Sequence, residues 1–201
     1  LIIGEEFLDG APSILALGDN IFYGNLLYSK LVSANSRETG STIFAHHVKE
    51  PQRYGVIELD EKGNIISLCE KPITPKSNYA ITGLYFFDKD APKFVKRLKP
   101  SSRGELEIID LISIYLEKGE LDVEILGRGN AWLDAGTPES LIEAHIFVQT
   151  IEHRQGLKIA CIEEIAFEKG WVNQKQLLQF AEQYSDNNYC EYIRNVARKS
   201  K

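Results

Sequence analysis

The segment Ser13-Ile14-Leu15-Ala16-Leu17-Gly18-Asp19-Asn20 joins a short apolar run to an abrupt polar turn. A run this short, bounded by a turn signal, predicts a buried β-strand rather than a helix. In open α/β sheets, ligands bind where the strands end. We therefore expect the Asp19 carboxylate at a ligand-binding edge of a sheet. The alternative is a turn aspartate that accepts hydrogen bonds from its own backbone.

Strand and helix patterns alternate around this segment up to about residue 155. Asp60-Glu61-Lys62-Gly63-Asn64 separates two β-rich runs and predicts a hairpin turn. Thr137-Pro138-Glu139 provides an N-cap, a first-turn proline and an acidic first turn for a long helix. A mixed sheet covered by helices, an α/β fold, follows from this alternation. We predict strands over 13–17, 41–48, 55–59, 65–68, 79–87 and 123–126, and helices over 25–37, 91–98, 106–118 and 138–154.

The pattern changes after Gly156, where only helical segments follow, with breaks at Gly170 and at 185–188. We therefore expect two parts, an α/β core over 1–155 and a helical appendage over 156–201.

The bulk properties exclude several classes of protein. The net charge is −6, and basic residues cluster only at 198–201, so a nucleic-acid binder is not expected. No apolar run approaches the ~20 residues that a membrane span needs. The cysteines and histidines are too scattered for a disulfide framework or a zinc site, and the unpaired cysteines favour the reducing cytoplasm. These residues are Cys69, Cys161, Cys190, His46, His47, His145 and His153.

Two further segments carry groups suited to phosphate chemistry. In Glu70-Lys71-Pro72, the proline favours an extended backbone at Lys71, which would point the two opposite charges to different sides. Lysine neutralises phosphate as a compact charge, and a carboxylate accepts from sugar hydroxyls. Asp134 lies just before the helix start at Thr137 and, with Asp19, could hold Mg²⁺ for phosphoryl transfer. The alternatives are a solvated surface pair and an accessory helix cap.

Two glycine-containing segments complete the candidate pocket. Gly55, after Tyr54, permits a ligand to approach the backbone closely, although a simple loop glycine is the alternative. Residues 78–83 offer polar groups and a backbone that could face a sugar.

These segments occur in an order that resembles the short, single-domain glucose-1-phosphate thymidylyltransferases. The matching blocks are LGDNIFYG (17–24), RYGVIE (53–58), CEKP (69–72), PKSNYAITGLYFFD (75–88), RGELEIID (103–110), GRGNAWLDAGT (127–137) and RQGLKIACIEEIAFEKGW (154–171). The resemblance covers nearly the whole chain and implies a Rossmann-like core.

The resemblance implies Mg²⁺-dependent synthesis of dTDP-glucose and pyrophosphate from dTTP and glucose 1-phosphate. It also implies supply of deoxysugars of the dTDP-rhamnose type for surface polysaccharide. Asp19 and Asp134 resemble the metal-binding carboxylates, and Lys71 resembles the residue that holds the sugar phosphate. The residues that resemble the sugar-binding set are Asn20, Tyr54, Gly55, Glu70, Ile81 and Trp132.

The family also has a regulatory nucleotide site and assembles as a homotetramer. The residues that resemble this second site are Tyr23, Gly24, Arg128, Glu164 and Ile165. By the same resemblance, the appendage over 156–201 would serve subunit packing.

One departure from the family concerns its opening Gly-rich G-x-G-T-R-L loop and a following lysine, which do not occur in the 201 residues. Without them, and without the family's amino-terminal strands, we expect these 201 residues alone to be inactive. Two other functions stay open, namely transfer of a uridylyl or other nucleotidyl group and a non-catalytic module for sugar-nucleotide binding or assembly.

Overall fold

The computed structural model describes residues 1–101, 104–184 and 187–199. Its strands are β1 (Ser13–Ala16), β2 (Asn20–Gly24), β3 (Ser41–His47), β4 (Gly55–Leu59), β5 (Ile65–Glu70), β6 (Tyr79–Phe87), β7 (Leu121–Leu126) and β8 (Asn130–Asp134). Its helices are α1 (Glu5–Leu8), α2 (Leu27–Asn35), α3 (Ala91–Val95), α4 (Ile108–Glu117), α5 (Pro138–Gln155), α6 (Ile162–Glu168), α7 (Gln174–Gln183) and α8 (Asn188–Lys199), with a 3₁₀ turn at Pro51–Arg53.

The main sheet has six strands and is mixed, as predicted. Strand β6 lies at its centre, antiparallel to β3 along one side. On its other side, β4 pairs with the start of β6 and β1 pairs with its end. Strand β7 runs parallel to β3, and β5 forms the predicted hairpin with β4.

Both faces of the sheet are covered in the middle. Ile43 and Phe44 are neighbours on β3, so their side chains point to opposite faces, yet both are fully buried. Ile43 joins a cluster that includes Ile112 and Tyr115 of α4. Phe44 joins a second cluster with Ala34 of α2. Burial of side chains of this size stabilises the fold by about 1.5–3 kcal/mol each.

Strand β1 forms where predicted, but the expectation that it is buried is wrong. Ile14 is 54% exposed and Leu17 is 44% exposed. The reason is the position of β1 in the sheet, since it pairs only with β6. Within the described residues, no strand pairs with its other edge.

Strands β2 and β8 form a separate antiparallel ribbon. Its register runs from Asn20 opposite Asp134 to Gly24 opposite Asn130. We had not predicted β2, because Gly18-Asp19-Asn20 reads as a turn and the pairing partner lies far along the chain. The ribbon carries both candidate metal carboxylates at one end.

The chain divides into two compact units, Leu1–Ser140 and Leu141–Lys201. The division falls near the start of α5. The second unit has its own core, in which α6, α7 and α8 bury residues that include Cys161, Leu177 and Ile193. All three cysteines are free. Among the described helices, none has the length and apolar character needed to cross a membrane.

Candidate active site

Asp19 and Asp134 converge at the end of the β2–β8 ribbon. The Ala135 amide donates to the Asp19 carbonyl at 2.7 Å, which holds the two chain segments together. A Cβ atom placed on Gly136 would lie 3.1 Å from Asp134 Oδ1 and 3.3 Å from Asp19 Oδ2. Both carboxylates therefore border one small space, which the absence of a side chain at Gly136 keeps open.

The two carboxylates beside this space could hold a divalent cation. Mg²⁺ prefers oxygen ligands and is usually held by one or two carboxylates, with substrate phosphates and waters as the remaining ligands. Asp19 and Asp134 supply such a pair. In the parts of the chain that the structure describes, no group of three or more His, Cys, Asp or Glu residues could hold a metal. A cation held by Asp19 and Asp134 would therefore need further ligands, such as waters or substrate oxygens.

Asn20 lies beside this carboxylate pair and makes three hydrogen bonds. Its Nδ2 donates to Asp19 Oδ1 at 2.8 Å. Its Oδ1 accepts from Trp132 Nε1 at 2.6 Å and from the Gly83 amide at 3.2 Å. The ribbon register explains this placement, since Asn20, Asp134 and Trp132 lie on the same face of β2–β8.

An aromatic wall continues from the carboxylates. Trp132 makes an edge contact with Tyr54, with ring centroids 4.9 Å apart, and a more distant one with His46 at 6.5 Å. Burial raises the pKa of the Tyr54 hydroxyl; the Arg53 charge opposes this rise, and the Asp134 charge adds to it. Tyr54 is therefore a neutral hydroxyl near the Asp134 carboxylate.

The other end of the wall is formed by Gly55, Glu70 and Ile81. A Cβ atom on Gly55 would lie 3.3 Å from Glu70 Oε2 and 3.4 Å from Ile81 Cδ1. Gly55 and Glu70 are direct cross-strand partners on β4 and β5. Burial, with the Glu70 charge as a second cause, raises the pKa of Tyr85. The Glu70 carboxylate thus faces the space beside the bare backbone of Gly55.

Lys71 joins the site through its backbone, and one expectation about it is wrong. Its amide donates to the Tyr54 carbonyl at 3.0 Å, next to the aromatic wall. We expected an extended backbone before Pro72, but Lys71 has a φ of 42°. The chain bends where it leaves β5 after Glu70, and the hydrogen bond to Tyr54 continues the β4–β5 pairing by one residue. The side chain of Lys71 is exposed.

The structure thus links the predicted catalytic and sugar-binding residues in the first unit by hydrogen bonds, ring contacts, strand pairing or proximity to a shared glycine. Their roles stay predictions. These linked residues are Asp19, Asn20, Tyr54, Gly55, Glu70, Lys71, Ile81, Trp132 and Asp134.

The predicted regulatory residues are distributed differently. Tyr23 lies on the face of the ribbon opposite to that of Asn20. Gly24 packs so closely on Asn130 that a Cβ atom would lie 2.6 Å from Asn130 Oδ1, and Arg128 precedes β8. Glu164 and Ile165 belong to α6 in the second unit, where Glu164 accepts from Tyr192. The assignment of these residues to a nucleotide site stays a prediction.

Sequence reasoning missed Gly136 and His46 at the site, and it named Gly83 only as part of the segment 78–83, without a role of its own. A glycine in the middle of a strand is a known sign of close backbone approach, so Gly83 could have been found. Gly136 lies two residues after Asp134 and offered no such signal. His46 contacts Leu126 through Nδ1 at 3.0 Å, and its place beside Trp132 depends on tertiary structure.

The sequence of this chain is similar to a known protein family and to named relatives. A family model described as "Nucleotidyl transferase" matches residues 1–151. A glucose-1-phosphate thymidylyltransferase of Xanthomonas campestris pv. campestris (strain B100) is 50% identical over 98% of this chain and 67% of its own length. Its counterpart in Neisseria meningitidis serogroup A (strain Z2491) is 51% identical over 98% of this chain and 69% of its own length.

Two solved structures are also similar to this chain. A Bacillus anthracis crystal structure named for the same enzyme, in complex with sucrose, is 37% identical with a TM-score of 0.63, covering 73% of this chain and 58% of that one. A UDP-glucose pyrophosphorylase in complex with UDP-glucose has a TM-score of 0.64 at 22% identity, over 74% of this chain and 60% of that one, and shows a common fold.

The fold and the carboxylate-lined site therefore define a sugar nucleotidyltransferase core. By sequence identity, the chain belongs to the glucose-1-phosphate thymidylyltransferases of the nucleotidyl transferase family. It spans about two thirds of the length of these curated relatives.

Proposed function

We propose that the protein transfers a thymidylyl group from dTTP to glucose 1-phosphate and thereby supplies dTDP-glucose for deoxysugar synthesis. A phosphate oxygen of glucose 1-phosphate attacks the α-phosphorus of dTTP. The bond from that phosphorus to the bridging oxygen breaks, and pyrophosphate leaves with the electron pair. The observation that carries this proposal is the convergence of Asp19 and Asp134 on the space at Gly136, beside a wall that can hold a sugar.

Charge neutralisation is the main task of such a site, since phosphoryl transfer is catalysed largely by positioning and electrostatics. Mg²⁺ fits the Asp19–Asp134 pair, and when bound it would neutralise negative charge on the phosphate oxygens. Lys71, exposed beside Tyr54, is the candidate for the sugar phosphate. A compact ammonium group is suited to that role.

The sugar would occupy the space between Glu70 and the aromatic wall. The Glu70 carboxylate can accept from sugar hydroxyls, and the bare backbone of Gly55 permits close approach. Trp132 and Tyr54 would cover the sugar and exclude water from one side. The homologues named above favour the thymidylyl donor. A uridylyl donor is the second candidate, because a UDP-glucose pyrophosphorylase shares the fold.

The test is pyrophosphate release, measured on the product of the whole reading frame that encodes this chain. With Mg²⁺ and glucose 1-phosphate, we expect turnover with dTTP and much less with UTP. Asp19→Asn and Asp134→Asn should each lower kcat on the order of 100-fold, because each removes electrostatic stabilisation of the transition state. The matched control is Asp9→Asn, an exposed residue with a φ of 45° that asparagine tolerates.

Each outcome has a distinct meaning. Preferential turnover with UTP would establish the uridylyl alternative. Binding of dTDP-glucose without any turnover would establish a non-catalytic module. Full activity in both site variants would show that the two carboxylates do not take part. The regulatory site and the homotetramer stay separate predictions, which nucleotide binding to Tyr23 variants and the mass in solution would test.

A further inference from the structure

The side-chain amide of Asn20 is unusual because three different parts of the site engage it. Its oxygen accepts from the indole of Trp132 and the backbone of Gly83, and its nitrogen donates to the Asp19 carboxylate. Only this orientation of the amide satisfies all three partners, since two are donors and one is an acceptor. The amide therefore has a single arrangement set by its surroundings.

Gly83 is part of the same arrangement. It lies in the middle of β6, between Thr82 and Leu84, which are both buried. The Thr82 hydroxyl donates to the Phe44 carbonyl at 3.0 Å, which fixes this stretch of β6 against β3. A Cβ atom on Gly83 would lie 2.7 Å from Asn20 Cγ and Oδ1 and 2.9 Å from Nδ2. Real Cβ atoms essentially never come this close, so any side chain at position 83 would displace the amide.

We propose that Asn20 is a positioning residue that connects the cation-binding carboxylate of Asp19 to the Trp132 wall, and that Gly83 provides the room it needs. This proposal rests on the proposed function, in which Asp19 and Asp134 hold the cation. The resemblance made Asn20 a sugar-binding residue, whereas here its side-chain amide orients the Asp19 carboxylate and does not bind the substrate.

The physical reason is orientation of the carboxylate. With Oδ1 engaged by Asn20, Asp19 Oδ2 lies on the side of the space at Gly136, where Asp134 Oδ1 also lies. Partners of metal ligands fix the orientation of those ligands, and removing them typically lowers metal affinity by ~10–100-fold. Hydrogen bonds in a chain also polarise one another, so cation binding at Asp19 should be felt at the Trp132 indole.

The first measurement is Mn²⁺ affinity by electron paramagnetic resonance, without sugar or nucleotide. We expect Asn20→Ala and Gly83→Ala each to weaken Mn²⁺ binding by at least ~10-fold. The double variant should be no weaker than Asn20→Ala alone, because Gly83 acts only through the amide and the two changes share one interaction. The matched control is Gly127→Ala, since a Cβ atom there meets nothing within 4 Å.

The second measurement tests whether Asn20 connects cation binding at Asp19 to the Trp132 indole. The 201 residues contain two tryptophans, Trp132 and Trp171. A Trp171→Phe background, with any tryptophan encoded outside these residues also replaced by Phe, isolates the Trp132 indole. Adding Mg²⁺ should shift the Trp132 emission in this background, and Asn20→Ala should abolish the shift. A merely structural role for Asn20 would not remove a metal-dependent signal from a folded protein.

Several outcomes would overturn the proposal. Unchanged Mn²⁺ affinity in Asn20→Ala, with only the KM for glucose 1-phosphate raised, would make Asn20 a sugar contact. A further loss on adding Gly83→Ala to Asn20→Ala would give Gly83 a different role. If Asn20→Ala did not fold, Gly83→Ala would carry the test, and failure of both to fold would make the contacts structural.

Failure of the proposed function remains distinguishable from failure of this inference. A protein that binds Mn²⁺ in an Asn20-dependent way but releases no pyrophosphate would keep the inference and reject the transferase. A protein that turns over dTTP normally with Asn20→Ala would keep the transferase and reject the inference.

Discussion

Glycines determine the width of the site at the scale of single residues. Gly55, Gly83 and Gly136 each lie where a Cβ atom would come within 3.3 Å of a polar side-chain atom. Those atoms belong to the residues that we assign to the sugar, to positioning and to the cation. An added Cβ atom should therefore perturb sugar binding at Gly55, the position of Asn20 at Gly83 and cation binding at Gly136.

At Gly55, we predict a defect in sugar binding. The added methyl of Gly55→Ala would press on Glu70 Oε2, Ile81 and Ile109, all at 3.3–3.4 Å, and would displace the Glu70 carboxylate that we assign to the sugar hydroxyls. The KM for glucose 1-phosphate should rise roughly 10-fold, since one methylene in a fitted pocket is worth about that much. Steady-state kinetics with Gly127→Ala as the control would check this, and an unchanged KM would remove Gly55 from the pocket.

At the scale of secondary-structure elements, the β2–β8 ribbon decides the chemistry. It brings together residues such as Asn20 and Trp132, which are 112 positions apart in the chain. Its antiparallel register places Asn20 opposite Asp134. A shift of one residue would turn Asp134 to the other face. The register of the ribbon therefore sets which side chains join Asn20 on one face, while strands β4, β5 and β6 of the main sheet supply Gly55, Glu70 and Ile81.

A helix cap gives a prediction for the second unit. The Asn173 side chain accepts from the Gln176 amide at 3.0 Å, and the Gln176 side chain accepts from the Asn173 amide at 2.9 Å. Asn173→Ala removes half of this capping box and should lower the free energy of unfolding by about 0.5–2 kcal/mol. Urea unfolding followed by circular dichroism measures it. Lys175→Ala, exposed in the same turn, should have little effect, and an equal loss there would contradict the role of the cap.

At the scale of the whole molecule, tyrosines that are buried or partly buried and have a raised pKa occur in both units. Burial raises the pKa of Tyr85 and Tyr115 in the first unit and of Tyr189 in the second. Tyr192 shows the same effect, with burial and then its hydrogen bond to Glu164 raising its pKa to about 12. The folded protein therefore retains protons that the unfolded chain loses above its tyrosine pKa, near 10.

We predict a loss of stability at alkaline pH for this reason. Since the folded pKa values are raised, the contribution is complete below about pH 10 and declines as the pH rises toward 12. Thermal unfolding measured across this range should show a falling midpoint. Tyr192→Phe should make the decline shallower, whereas Tyr184→Phe, at a ring that is 55% exposed, should not. A midpoint independent of pH up to 12 would contradict the prediction.

The sequence determined most elements of this protein by itself. The hairpin at 60–64, the central strand β6 and the capped start of α5 depend on turn residues, β-branched runs and N-cap side chains, which are local signals. Thr137 does accept from the Ser140 amide, as a cap should. The ordered motifs also predicted the family, which the comparisons confirm, and they selected residues that turn out to be in contact.

Only the tertiary structure decided how those residues meet. The exposure of β1 depends on which strands flank it, and the position of Lys71 beside Tyr54 depends on the pairing of β4 with β5. The convergence of Asp19 and Asp134 depends on a ribbon whose two strands are remote in sequence. The importance of Gly83 depends on its closeness to Asn20, and that of Gly136 on its closeness to Asp19 and Asp134. Local patterns specify elements because neighbouring residues set backbone preferences, whereas side chains from distant segments meet only when the chain packs.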